Sequence, residues 1–161
     1  MLSDNKRLSL LIRKNNGRFK LHDYKQFFKS FNLKNLAYIE LEQSDEIVRK
    51  IETAFAGTTP KFELIKNDSI QQSKLLDEIL ALVDEKKTCY IYTDYVEECG
   101  MFTATTKSAI KGCLNVAFLA YNNICYLADS DFKFMFIINY YDDGDRYNKN
   151  EYDIQRKVIE N

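Results

Sequence analysis

The run FKFMFIINYY, residues 132–141, fixes more about how this chain can fold than any other stretch. In an extended conformation Phe132, Phe134, Phe136 and Ile138 share one side, and Met135 and Ile137 share the other. A strand that is apolar on both sides has to be covered on both, so the sequence predicts a central strand with layers above and below it. ICYLA precedes it, and Asp129-Ser130-Asp131 between the two reads as a tight turn. Asp129 and Asp131 could pair for acid–base chemistry or Mg²⁺ binding. Aspartate in a hairpin turn more often serves local hydrogen bonds to the backbone, and that reading is preferred.

The remaining elements follow from periodicity. Leu8, Leu11 and Ile12 recur at helical spacing up to a stop at Asn15-Asn16-Gly17, and Tyr24, Phe27, Phe28 and Phe31 mark a second short helix with an aromatic core face. LAYIEL, residues 36–41, reads as a strand; Ser44 then caps a helix whose inner side is Ile47, Ile51, Ala54 and Phe55. KFELI, residues 61–65, reads as a short strand, and a longer helix runs from Asp68 or Ser69 to Lys87. CYIYTDY places Tyr90 and Tyr92 on one face of a strand and Cys89, Ile91 and Thr93 on the other. A loop through Glu97, Glu98 and Gly100 leads to a buried helix over Thr106 to Tyr121, and residues 151–160 read as a last helix through Ile154 and Val158. At 161 residues this makes one domain, residues 1–161, long enough to form a core without disulfides or metal. The predicted fold is α+β of the α/β type: a helical N-terminus and a central mixed sheet of about four to five strands packed with helices.

No catalytic, metal or cofactor motif stands out. GMFTATTKS has the outline of a phosphate loop, but Thr106 stands where a glycine must let backbone amides close around phosphates, so a plain helix start is the better reading. His22 is the sole histidine, remote in sequence from Cys89, Cys99, Cys113 and Cys125, and those cysteines have no metal-ligand spacing. The N-terminus lacks an apolar block of signal-peptide length and no run reaches the roughly 20 residues of a membrane span. Reduced, buried thiols, a cytoplasmic location and a non-enzymatic role are therefore expected.

The net charge of −1 conceals a dipolar chain. Lys6, Arg7, Arg13, Lys14, Arg18, Lys20, Lys25, Lys29 and Lys34 crowd the N-terminal part, spread around helix surfaces in a way that solvated faces explain better than nucleic-acid binding. At the other end Tyr140, Tyr141 and Tyr147 interleave with Asp142, Asp143 and Asp145. Tyrosine gives a rigid contact with a polar tip, and neighbouring carboxylates steer a basic partner. These six residues, with Asp94, Glu97 and Glu98 of the earlier loop, are the candidate partner-binding set.

In YVEECGMFTATTKSAIKGCLNVAFLAYNNICYLADSDFKFMFIINYYD the chain resembles the small cytosolic immunity proteins of bacterial polymorphic and contact-dependent toxin systems. The resemblance is one of type: a short α/β protein with no catalytic constellation and an acidic, aromatic-rich C-terminal half. It implies a stoichiometric inhibitor whose partner is a cognate toxin domain, usually a nuclease with a basic cleft, although the net charge of −1 departs from the strongly acidic members of that group. Two alternatives stand beside it. A small-molecule enzyme or ligand-binding domain using the 94–100 loop predicts a deep pocket beside that loop, where inhibition predicts a flat acidic face. A nucleic-acid-binding regulator predicts salt-dependent binding through the first 34 residues.

Overall fold

The computed structural model describes residues 4–67, 77, 79–81, 83, 87–119, 124–142 and 150–159, with the backbone alone for residues 61–67, 118–119, 141–142 and 150–151. In chain order the elements are α1 (Asp4–Ser30), β1 (Ala37–Ile39), α2 (Leu41–Ala54), β2 (Lys61–Asn67), β3 (Thr88–Thr93), α3 (Val96–Cys99), β4 (Met101–Thr105), α4 (Thr106–Leu119), β5 (Ile124–Asp129), β6 (Phe134–Asp142) and β7 (Asn150–Val158). The expected helix over residues 68–87 falls mostly outside the described residues.

The architecture is α+β, with helices on one seven-stranded sheet of order β1-β4-β3-β5-β6-β7-β2. Every pairing is antiparallel, where a mixed sheet of fewer strands was expected. The reason lies in what the helices connect. α4 carries the chain from β4 to β5, which flank β3 on either side, and α2 carries it from the β1 edge to the β2 edge. α3, between the paired strands β3 and β4, is a single turn too short for a parallel crossover, so among the described elements no parallel pair arises.

β6 lies inside the sheet and is apolar on both faces, as its sequence predicts. Phe136 and Ile138 join Ile91, Phe102, Cys125, Leu127 and Ile154 under α1 and α4. Met135 and Ile137 join Tyr90, Tyr92, Tyr126, Met101 and Ala128 under Ile47 and Ile51 of α2 and Phe55 at its C-cap. Asp129 has the turn role expected of it: its Oδ1 accepts the backbone N–H groups of Lys133 (2.6 Å) and Phe134 (2.9 Å).

Four expectations change. α1 is one continuous helix through Asn15-Asn16-Gly17, because Gly17 is a contact point and not a stop. A Cβ there would collide with the Glu98 carbonyl, and that close approach offsets the roughly 1 kcal/mol a mid-helix glycine costs. LAYIEL yields only the three-residue β1: Leu41 is fully buried and opens α2, Glu40 takes the N-cap position, and Ser44 lies one turn inside, its hydroxyl donating to the Ile39 carbonyl. MFTAT, read as loop, is β4, held between β1 and β3 with Met101, Phe102 and Ala104 buried. The last expected helix is β7, whose Tyr152 and Ile154 alternate into the core.

Candidate binding cleft

The antiparallel register brings the ends of β3, β5 and β6 together. Thr93 pairs with Cys125, and Cys125 with Ile138, so the segment after β3 and the last residues of β6 share one end of the sheet. The candidate residues sort unevenly there. Asp94 and Glu97 are exposed at that end. Glu98, on the neighbouring turn, faces the other way toward α1, beside Lys14, Arg18 and Lys25. The backbone of Tyr141 and Asp142 ends β6, paired with Glu151 and Asn150. Asp143, Asp145 and Tyr147 lie outside the described residues.

Tyr140 is corrected outright. It is 4% exposed, with its ring 5.1 Å from that of Tyr152, whose hydroxyl donates to the Leu114 carbonyl of α4. These tyrosines point to the α4 face because they continue the Phe136, Ile138 and Ile154 side of their strands, so Tyr140 belongs to the core and no partner can reach it without unfolding.

On the opposite face, the C-terminal end of α2 stands off the sheet and leaves a cleft of about 570 Å³. Val48, Ile51 and Phe55 form its helix wall, and Tyr92, Tyr126, Met135 and Ile137 its floor. Glu52, Asp94 and Glu97 also line it, against one ammonium, Lys157. The rings of Tyr92 and Tyr126 stack, 4.9 Å apart and 8° from parallel. The Tyr126 hydroxyl donates to Asp94 Oδ1 at 2.8 Å, which holds that carboxylate at the edge of the aromatic floor. Burial first, then the bond to Asp94, pushes the Tyr126 hydroxyl up to about 12, so it remains the donor. Burial, with Tyr126 and Glu52 alongside, also raises Tyr92. Sequence reasoning put Tyr92 on a strand face with Tyr90 but did not single it out as a site residue; the signal was a pair of tyrosines on the face opposite the cysteines.

α1 braces this end of the molecule. The Arg13 guanidinium forms a two-pronged pair with Asp45 of α2 (2.7 and 2.8 Å) and also donates to the Glu97 carbonyl, tying α2 and α3 together. Lys14 pairs with Glu40, and Lys20 and Lys25 lie over the rings of Tyr95 and Tyr38. Much of the N-terminal basic charge is therefore spent inside the molecule. Leu8, Leu11, Ile12 and Phe19 point outward on the same helix, Phe19 being 74% exposed.

The cysteines are unpaired and buried, and burial pushes Cys99 up to about 11 and Cys89 up to about 12. Thiols held protonated in this way are poor nucleophiles. Thr106, at the phosphate-loop lookalike, is buried with its hydroxyl donating to the Lys87 carbonyl, and His22 is exposed beside Gln26. Among the described residues no three His, Cys, Asp or Glu side chains gather as a metal site, and no helix is long and apolar enough to cross a membrane.

These raised values set a pH dependence. Cys89, Cys99, Tyr38 and Tyr126 titrate at about 11 to 12 when folded, above the 9.0 and 10.0 of free thiol and phenol. The protonated forms thus contribute stability that is complete below about pH 9 and is lost as pH rises through 11 to 12. The urea midpoint, followed by circular dichroism, is expected to hold steady from these groups up to about pH 9 and to fall continuously from there to about pH 12. A midpoint unchanged across that upper window would contradict the assignment. No family model, curated protein or solved structure matches the chain.

Proposed function

We propose that the protein works by binding rather than catalysis, as an immunity protein that neutralises a basic toxin domain in the cytosol by engaging it at this end of the sheet. The observation that carries the reading is the cleft itself: three carboxylates, Glu52, Asp94 and Glu97, around stacked tyrosines, with Lys157 as the opposing charge. Carboxylates at a rim attract a basic partner and raise its association rate, and rigid aromatics supply contact area once it has docked.

The concavity of the same cleft favours a second reading, a ligand-binding domain for a small cation, because a flat acidic face was the shape expected of simple occlusion. The regulator reading loses ground. Arg13 and Lys14 are held in ion pairs and Lys20 and Lys25 lie on aromatic rings, which leaves fewer cations free for phosphates.

The test is protection of cells expressing the product of the gene immediately upstream, together with association rates of the two purified proteins. Wild type is expected to protect. The double variant Asp94→Asn/Glu97→Gln is expected to associate on the order of tenfold more slowly and with a shallower salt dependence. Unchanged rates in the variant would remove the site from this cleft; no complex with the wild type would remove the immunity reading.

A further inference from the structure

We infer that the cleft is a receptor for a single alkyl-guanidinium or alkyl-ammonium group. The inference rests on the binding reading above and gives its chemistry. Its strongest support is Tyr92. That side chain is only 8% exposed and lines the cleft, yet among the described residues its hydroxyl has no hydrogen-bond partner. The ring is packed while the hydroxyl opens into the cleft, where a ligand can take up its hydrogen bond in place of water.

The surrounding charges decide the sign of that ligand. Three carboxylates face one ammonium, so an anion is disfavoured and a cation favoured. Asp94 is bonded through Oδ1 to Tyr126, and Oδ2 has no partner among the described residues, which leaves one acceptor oxygen fixed in place. A guanidinium or ammonium donor has no acceptor of its own and suits an oxygen-rich rim. The Tyr126 ring beneath adds the attraction of an aromatic face for a cation, and Ile51, Phe55 and Met135 offer an apolar wall to its alkyl chain.

Lys157 limits the length of that ligand. It projects from β7, which is separated from β3 by β5 and β6, so a second cationic centre on a long chain would run toward it. One cationic head on a short chain fits better than a linear polyamine. Such a head occurs both on free amines and on arginine or lysine side chains of a protein, and the test separates these sources.

The experiment titrates the full chain with n-butylguanidinium, n-butylammonium, butyrate, spermidine and N-acetyl-arginine methylamide, following tyrosine ring resonances by NMR. The two butyl cations are expected to shift the Tyr92 and Tyr126 rings saturably, with butyrate inert and spermidine weaker than its charge alone predicts. Tyr92→Phe, which removes one oxygen, and Asp94→Asn are each expected to weaken binding about tenfold with melting temperature unchanged. Binding of the capped arginine as tightly as of butylguanidinium assigns the site to a protein side chain; exclusion of the capped residue assigns it to a free cation. Equal binding of butyrate, or cation shifts confined to other residues, would overturn the inference. Cation binding without protection from the upstream product leaves the cleft assignment standing and removes the immunity reading; protection by a wild type that binds none of the cations does the reverse.

Discussion

Gly100→Ala is expected to lower the melting temperature by roughly 6–20 °C, measured by calorimetry at neutral pH. Gly100 sits at φ 70°, ψ −156°, a region that in practice only glycine occupies. Forcing a residue with a Cβ into it costs about 1–3 kcal/mol from the backbone alone. The new Cβ would also lie 2.5 Å from the Ile39 carbonyl oxygen and close to the Tyr38 ring. That carbonyl belongs to β1, whose Ile39 pairs with Met101 of β4, so it cannot move without opening the pairing. Strain and collision together come to about 3–5 kcal/mol, and a protein of this size loses roughly 2–4 °C per kcal/mol. Gly57→Ala is the control: Gly57 also has a positive φ, 75°, but a Cβ there meets nothing within 4 Å. Its cost should be strain alone and clearly smaller. Equal losses in the two variants would show that the contact with β1 is unimportant. Gly100 also ends α3, the turn that carries Glu97, so the variant should broaden the Tyr92 and Tyr126 resonances as well.

What the sequence could reveal was decided by whether a signal was local. The β5–turn–β6 unit was legible because alternation and turn chemistry lie within one short stretch, and the Tyr24–Phe28 face of α1 because its spacing has one interpretation. Gly17 was misread because its reason is the Glu98 carbonyl, 81 positions away. β4 was invisible because five residues with two threonines carry little pattern; their burial follows only from having β1 and β3 on either side. β7 was ambiguous, since Ile154 and Val158 satisfy a helix while Tyr152 and Ile154 satisfy a strand, and pairing with β6 and β2 decided between them.

The site divides along the same line. Asp94 and Glu97 could be read as exposed acids because short polar loops lie at the surface. Tyr140 could not be separated from its neighbours by composition, since tyrosine serves cores and interfaces equally well, and only the strand face decides which. Tyr92 became a site residue through two elements distant in sequence: the end of α2 that leaves the cleft open, and Tyr126 that stacks against it.

Asp129→Ala is expected to cost about 3 kcal/mol, roughly 6–12 °C in melting temperature. Asp129 is 0% exposed, and its Oδ1 accepts two backbone N–H groups across the β5–β6 turn. Its Oδ2 lies 3.8 Å from Lys87 Nζ, an ion pair too long for a hydrogen bond. Each donor stripped of a partner costs up to about 1–3 kcal/mol when buried, and part of that range applies because Phe134 is half-buried. The turn has little to spare, for Phe132 within it takes φ 56°, which aromatic residues seldom adopt. Asp129→Asn keeps the acceptor oxygen and should lose less than half as much, whereas alanine and asparagine behaving alike would mean that the charge facing Lys87 matters more than the turn. Asp131→Asn should change little, because that residue is fully exposed although it also pairs with Lys87. The damage from alanine should not stay local. The β5–β6 hairpin carries Tyr126, Met135 and Ile137, so hydrogen exchange in Asp129→Ala should accelerate first along β5 and β6, and cation binding in the cleft should weaken with it.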